Sequence, residues 1–138
     1  MEKTFALIKP EAVSGGNTGK IIARIEEEGF SIKALKMISL SRRQAENFYA
    51  VHREKAFFEA IVAHISSSSV VALVLEKDNA VADFRQLMGA TNPAAAEEGT
   101  LRRIYGQSVD MNGIHGSDSV ENAAFEMSYF FSGMEINN

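Results

Sequence analysis

Val70-Val71-Ala72-Leu73-Val74-Leu75 is apolar at every position. A strand with one wet face alternates apolar and polar residues, so an unbroken run of this length predicts a central strand covered on both sides. The serines Ser66 to Ser69 in front of it read as the turn that starts it. Upstream, Phe57, Phe58, Ile61, Val62 and Ile65 have spacings of one, four, five and eight from the first, the strongest helical period in the chain. Downstream, Asp78 or Asn79 is placed to cap a helix that turns Val81, Phe84 and Met88 inward.

Working outward, Ser41 followed three residues later by Gln44 is a capping-box signature, and Ala45, Phe48 and Tyr49 give the short helix behind it an inward stripe. Ser31 to Leu40 reads as a strand. Near the start, Thr4 to Lys9 alternates so that Phe5, Leu7 and Lys9 share a face, and Pro10 denies the ladder its next donor. A Ser14-Gly15-Gly16 turn leads into a helix with Ile21, Ile22 and Ile25 on one face, which Gly29 can close in a left-handed conformation. Toward the end, Ile114 and His115 lead through Asp118, with Glu121 as its capping-box partner, into a last helix carrying Ala124, Met127 and Phe131. The element order is βα β αα β α, loop, β α. It predicts an α+β sandwich of helices over a small mixed sheet.

From Gly89 to Gly113 the periodicity vanishes, leaving roughly two dozen residues of loop with room for one short helix, a length usually spent on function. The octet that follows, Asn112-Gly113-Ile114-His115-Gly116-Ser117-Asp118-Ser119, puts a histidine among glycines at a helix start. Small neighbours leave room for a substrate near the ring, and the free amides of a helix start suit an anion. A free imidazole, with an ordinary pKa of about 6.5, is mostly neutral at pH 7 and can attack phosphorus unaided. The octet's chemistry alone also admits a loop histidine that merely bonds backbone. Lys9, Arg85, Arg102 and Arg103 are cations suited to a phosphate chain. Lys9 shares its strand face with Phe5 and Leu7 and no counter-charge stands out beside it; it also reads as a strand-end lysine reaching for water. Arg85 and Arg102, taken alone, read more readily as solvated surface residues than as ligands. Glu126, two helical turns after Ser119, can point back to orient the histidine, or simply face solvent. Gly15-Gly16-Asn17-Thr18-Gly19-Lys20-Ile21 imitates a phosphate-cradling loop, but it is one residue short between Gly15 and Gly19 and has Ile21 where a hydroxyl should meet magnesium. It reads as a turn and helix start.

Composition limits the rest. The 138 residues, 46% hydrophobic and 23% charged, suit one domain spanning 1–138. No stretch reaches the ~20 apolar residues of a membrane span, and no secretion signal precedes Thr4, so a cytoplasmic location without membrane association is expected. There is no cysteine, and His52, His64 and His115 lack metal-ligand spacing. Any metal is expected to arrive with a substrate. A net charge of -4 argues against nucleic-acid binding.

The octet around His115 resembles the active-site signature of nucleoside diphosphate kinases almost residue for residue. Thr4 to Pro10 is similar to that family's first strand, Tyr49 and Phe57-Phe58 to its helical pair, and Gly89-Ala90-Thr91-Asn92-Pro93 with Gly99-Thr100-Leu101-Arg102 to its loop. The resemblance covers nearly the whole chain in order. It implies a ferredoxin-like βαββαβ sandwich: a four-stranded antiparallel sheet with an inserted helical pair and a long loop before the last strand. The implied reaction is ping-pong transfer of the γ-phosphate from a nucleoside triphosphate, carrying Mg2+, to a nucleoside diphosphate through a phosphohistidine. By position, His115 is the nucleophile and Glu126 orients it. Lys9, Tyr49 and Asn112 surround the sugar 3'-hydroxyl and γ-phosphate; Arg85, Thr91 and Arg102 hold phosphates; Phe57 and Val109 sandwich the base by its faces, which implies little base specificity. Ser117 and Asp118 are implied to be structural. The resemblance implies no direct protein ligand to the metal. The alternative is a catalytically inactive nucleotide-binding or regulatory module of the same fold.

Two stretches depart from the family pattern. Ser68-Ser69 stands for a usual Gly-Pro and Lys55-Ala56 for an Arg-Pro or similar pair. Both affect turn stiffness, so retained activity and slightly altered stability are expected. The short C-terminus resembles bacterial members, which implies a homo-oligomer with a dimer of dimers favoured.

Overall fold

The structure is a computed structural model describing residues 1–138. Four strands, β1 (Glu2–Ile8), β2 (Ser31–Ile38), β3 (Val70–Lys77) and β4 (Ile114–Gly116), form one sheet in the order β2-β3-β1-β4. All three pairings are antiparallel, so the sheet is not mixed as the element order alone suggested. Seven helices accompany it: α1 (Pro10–Ser14), α2 (Thr18–Glu27), α3 (Arg42–Phe48), α4 (Phe58–Ile65), α5 (Ala80–Met88), α6 (Leu101–Tyr105) and α7 (Val120–Phe130).

The apolar run in β3 does what its pattern demands. Val70, Ala72 and Val74 enter a core on one face of the sheet, beneath α3, α4 and α7, while Val71, Leu73 and Leu75 enter a second core beneath α2 and α5. Strand β1 repeats the split in register, with Phe5 and Leu7 paired to Val74 and Ala72, and Ala6 and Ile8 paired to Leu73 and Val71. Each fully buried Phe, Leu or Ile contributes roughly 1.5–3 kcal/mol, so a sheet buried on both sides is stabilised twice per strand.

Local chemistry accounts for the element ends, with some corrections. Strand β1 stops at Ile8, and Pro10 goes on to start α1, where a missing N–H costs nothing. Ser41 and Gln44 form the expected capping box. Asn79 precedes α5, but in a left-handed conformation and without a side-chain cap; the Glu2 carboxylate accepts from Val81 N instead. No box forms between Asp118 and Glu121. Ser119 caps α7 by accepting from Asn122 N, and Asp118 accepts from the Asn122 side chain. Helix α7 buries Ala123 and Phe130 and packs Met127 against the core, but leaves Ala124 exposed. The 89–113 segment holds helix α6 and a short 3-10 turn at Pro93–Ala95.

Candidate active site

Strand β4 is three residues long, and alternation places its middle residue. Ile114 sinks into the core beneath α5, so His115 points to the opposite face, toward Phe5, Phe48 and Tyr49. The strand is fixed to β1 by its pairing of His115 with Leu7 and by two flanking bonds, Lys9 N donating to Gly113 O and Ser117 N donating to Phe5 O. The flanking glycines answer to backbone and packing rather than to room for a substrate. Gly113 adopts φ +89°, and a Cβ on Gly116 would lie 2.7 Å from the Met88 methyl and 2.8 Å from the Phe84 ring. At the start of α7 the Ser119 hydroxyl already accepts from one of the helix's free amides, Asn122 N.

Two adjoining hollows of about 250 and 370 Å³ share His115, Tyr49, His52, Thr91 and Arg102. The first adds Arg85 and Glu126; the second adds Lys9, Phe57, Val109 and Asn112. All ten residues to which the family resemblance gives a catalytic or nucleotide-binding role thus line one cleft. Arg103 does not, for its guanidinium donates to Ala94 O. Some lining residues carried no expected site role: His52, Ile61 and Asp110 in the second hollow, and Val51, Asn122 and Phe125 in the first. A three-residue step from Tyr49 on a helical stretch is the signal that points to His52.

The Glu126 carboxylate receives two bonds on the same oxygen, from Ser117 Oγ at 2.6 Å and from His115 Nε2 at 2.9 Å. His115 Nε2 therefore carries the proton, and Nδ1, which has no protein partner, presents its lone pair. Lys9, 6% exposed, donates from Nζ to Asn112 Oδ1 at 2.8 Å, and Asn112 in turn donates to Thr91 O. Burial pulls the Lys9 ammonium down to about 8, against the attraction of Glu11. A counter-charge does exist near Lys9 in sequence, then: Glu11 lies two residues on, at the helical turn that the strand reading did not include. Arg102 donates to Ile114 O and Gly89 O, and burial, with Arg85 nearby, lowers it to about 10. Burial pushes the Tyr49 hydroxyl well above its usual range, and that hydroxyl has no partner in the protein. The Asn122 amide holds Asp118 below the usual carboxylate range. The cleft thus gathers a free imidazole nitrogen, cations from β1's end, α5 and α6, and an unpaired hydroxyl. At its far end Phe57 is 44% and Val109 50% exposed, apolar surface suited to a flat ring.

The family model described as nucleoside diphosphate kinase matches residues 2–136. A nucleoside diphosphate kinase of a Geobacter species is 56% identical over 136 residues, 99% of each chain. That of Desulfovibrio desulfuricans is 56% identical over 99% of this chain and 98% of its own. Among solved structures, Aquifex aeolicus nucleoside diphosphate kinase superposes with a TM-score of 0.97 at 42% identity, covering 98% of each chain. A halophilic one from Halobacterium salinarum, solved in complex with CDP, gives 0.95 at 37% identity over 99% of this chain and 91% of that one.

Proposed function

Because this chain belongs to the nucleoside diphosphate kinase family, we propose that His115 Nδ1 is the atom that receives the phosphoryl group. The chain is a phosphotransferase that moves the γ-phosphate of a nucleoside triphosphate to a nucleoside diphosphate. What supports Nδ1 is one arrangement: Glu126 engages Nε2, which leaves the other nitrogen's lone pair turned into the cleft. In the first half-reaction that lone pair forms the N–P bond as the P–O bond to the leaving diphosphate breaks. The ring becomes positively charged, and Glu126 offsets that charge. In the second, a terminal oxygen of another diphosphate attacks the phosphorus and the N–P bond breaks, returning the neutral ring.

Lys9 and Arg102 are the cations for oxygens that gain charge during transfer, and Arg85 and Thr91 hold the remaining phosphates. Tyr49 and Asn112 meet the sugar 3'-hydroxyl. Phe57 and Val109 take the base between them, a contact any base satisfies, which accounts for weak base discrimination. Mg2+, carried on the substrate's phosphates, supplies further charge neutralisation there.

We read residues 1–138 as one domain of this family and place it in the cytoplasm with free nucleotides; no helix is long and apolar enough to cross a membrane. Leu35 and Met37 stand exposed on edge strand β2, which supports association into a homo-oligomer, a dimer of dimers by analogy with short relatives.

The test is to mix the pure protein with γ-32P-ATP. The label should be acid-labile and base-stable, sit on His115 Nδ1 and leave on addition of GDP. His115→Ala should take no label yet keep its fold and bind nucleotide. Labelling of that variant, or no labelling of the wild type, refutes the assignment.

A further inference from the structure

The Glu11 carboxylate is almost fully enclosed, its side chain 5% exposed, yet it lines neither hollow of the cleft. One oxygen accepts from Gly113 N at 2.9 Å; the other meets His64 Nε2, on α4, at 2.7 Å. We propose that Glu11 is a positioning residue for phosphoryl transfer, locking the Asn112–Gly113 turn in place and supplying the negative charge that keeps Lys9 an ammonium in its buried seat.

The geometry links these parts in a short circuit. Gly113 is bound at both ends of its backbone, its N–H by Glu11 and its carbonyl by Lys9 N. Its neighbour Asn112 holds the Lys9 ammonium, and two residues further lies His115. Lys9, the turn and the nucleophile therefore share one anchor, set behind the cleft where no substrate can touch it. Gly113 is free to take its φ of +89°, and equally free to leave it, so a bond to its amide restricts a position that no side chain restricts. His64 adds a second hold on the carboxylate from across the helical pair, so the helix that carries the base-facing end of the cleft is tied to the same group.

Charge points the same way. Lys9 pays a desolvation cost that favours the neutral amine, and a carboxylate in the same enclosure opposes it. The charged groups acting on Lys9 are Glu11 on α1, Arg102 on α6, which repels it, and Asp110 in the loop; Tyr49, His52 and His115 complete the hollow. Asp110 is exposed and screened by water. Glu11 is the enclosed anion that balances Arg102, and neutralising it lets burial and Arg102 prevail.

This inference rests on Lys9 acting in transfer, so its test reads Lys9 directly as well as turnover. The protein is labelled with 13C at lysine Cε, the Lys9 resonance is assigned with Lys9→Arg, and its titration is compared in wild type, Glu11→Gln and Glu11→Asp. In Glu11→Gln the Lys9 midpoint should fall by about one unit, which at pH 8.5 leaves roughly eightfold less ammonium and a kcat lower by a similar factor, with KM within about twofold. Glu11→Asp, which keeps the charge, should recover most of both. If Glu11→Gln folds poorly, Glu11→Asp and Glu11→Asn, alike in size and different in charge, make the same comparison. An unmoved Lys9 midpoint on loss of the charge overturns the proposal. So does an Asp variant as impaired as the amide. A midpoint that moves while Lys9→Ala turns over normally supports Glu11's hold on Lys9 and faults the role given to Lys9 instead.

Discussion

Replacing Glu126 with alanine removes the carboxylate oxygen to which His115 Nε2 and Ser117 Oγ both donate. Two consequences follow for the ring. It loses the partner that fixes which nitrogen faces the cleft, and the positive charge that forms on phosphorylation loses its counter-ion. The Glu126 side chain is 15% exposed and that of His115 22%, so water replaces the bond only in part. A hydrogen bond to a charged group is worth about 1.5–3 kcal/mol in such a setting. At 1.36 kcal/mol per tenfold this becomes a fall in kcat of roughly 13- to 160-fold. Nucleotide affinity should change little, since the Glu126 carboxylate is engaged by the ring and by Ser117. Steady-state kinetics with ATP and a second diphosphate, beside a direct binding measurement, would read both numbers. A 31P spectrum of the phosphorylated variant would also show label on both ring nitrogens rather than one. If kcat stayed within threefold of wild type and the label stayed on Nδ1, the ring would be oriented by something else, and the argument from this hydrogen bond would fail.

Lys9→Ala should lower kcat far more than it raises KM, because an ammonium beside the transferring phosphate matters most as charge redistributes; an unchanged kcat would remove Lys9 from the mechanism. The same lysine leaves a mark on stability. Its amine sits at about 8 in the folded chain against an ordinary 10.5. The unfolded chain therefore binds the extra proton, and folding stability from this group rises between pH 8 and pH 10, by on the order of 2 kcal/mol. Denaturant titrations of wild type and Lys9→Met across that range would show the rise in the first and its absence in the second; parallel curves would contradict the burial cost. Phe57→Ala should weaken binding by roughly five- to 160-fold, by the same factor for purine and pyrimidine nucleotides, since stacking is worth about 1–3 kcal/mol whatever the base. A loss confined to one base class would mean that Phe57 reads base edges or size.

Much of this was legible in advance because it depends on pattern. The unbroken apolar run of β3 announced a sheet covered twice, and the strand alternation around Phe5 and Leu7 named the face that the site occupies. The ten cleft residues could be named from the family resemblance, since motifs preserve position along the chain. What stayed hidden depends on contacts between distant segments. Sequence put Glu11 beside Lys9 but could not show that its carboxylate reaches Gly113, 102 residues away. The sheet's fully antiparallel pairing follows from which strands meet, and local periodicity is silent on that. The cap of α5 came from Glu2 rather than Asn79 for a similar reason, a side chain from the chain's start reaching a helix seventy-nine residues on. The glycines of the octet were visible as glycines. Their reasons, a positive φ at Gly113 and a tight fit of Gly116 against Met88, belong to packing that no single segment encodes.

The brevity of β4 carries a lasting consequence. Three residues hold His115 between one core and the other, and side chains on a strand switch face at every step. Loss or gain of a single codon between Gly113 and Ser117 would send an isoleucine or a glycine into the cleft and bury the imidazole against α5. The stretch around Glu97 to Gly99, exposed at the surface, bears no such restriction. A change of length in that outer segment leaves every strand face as it is, while one behind the nucleophile exchanges what faces the cleft for what faces the core.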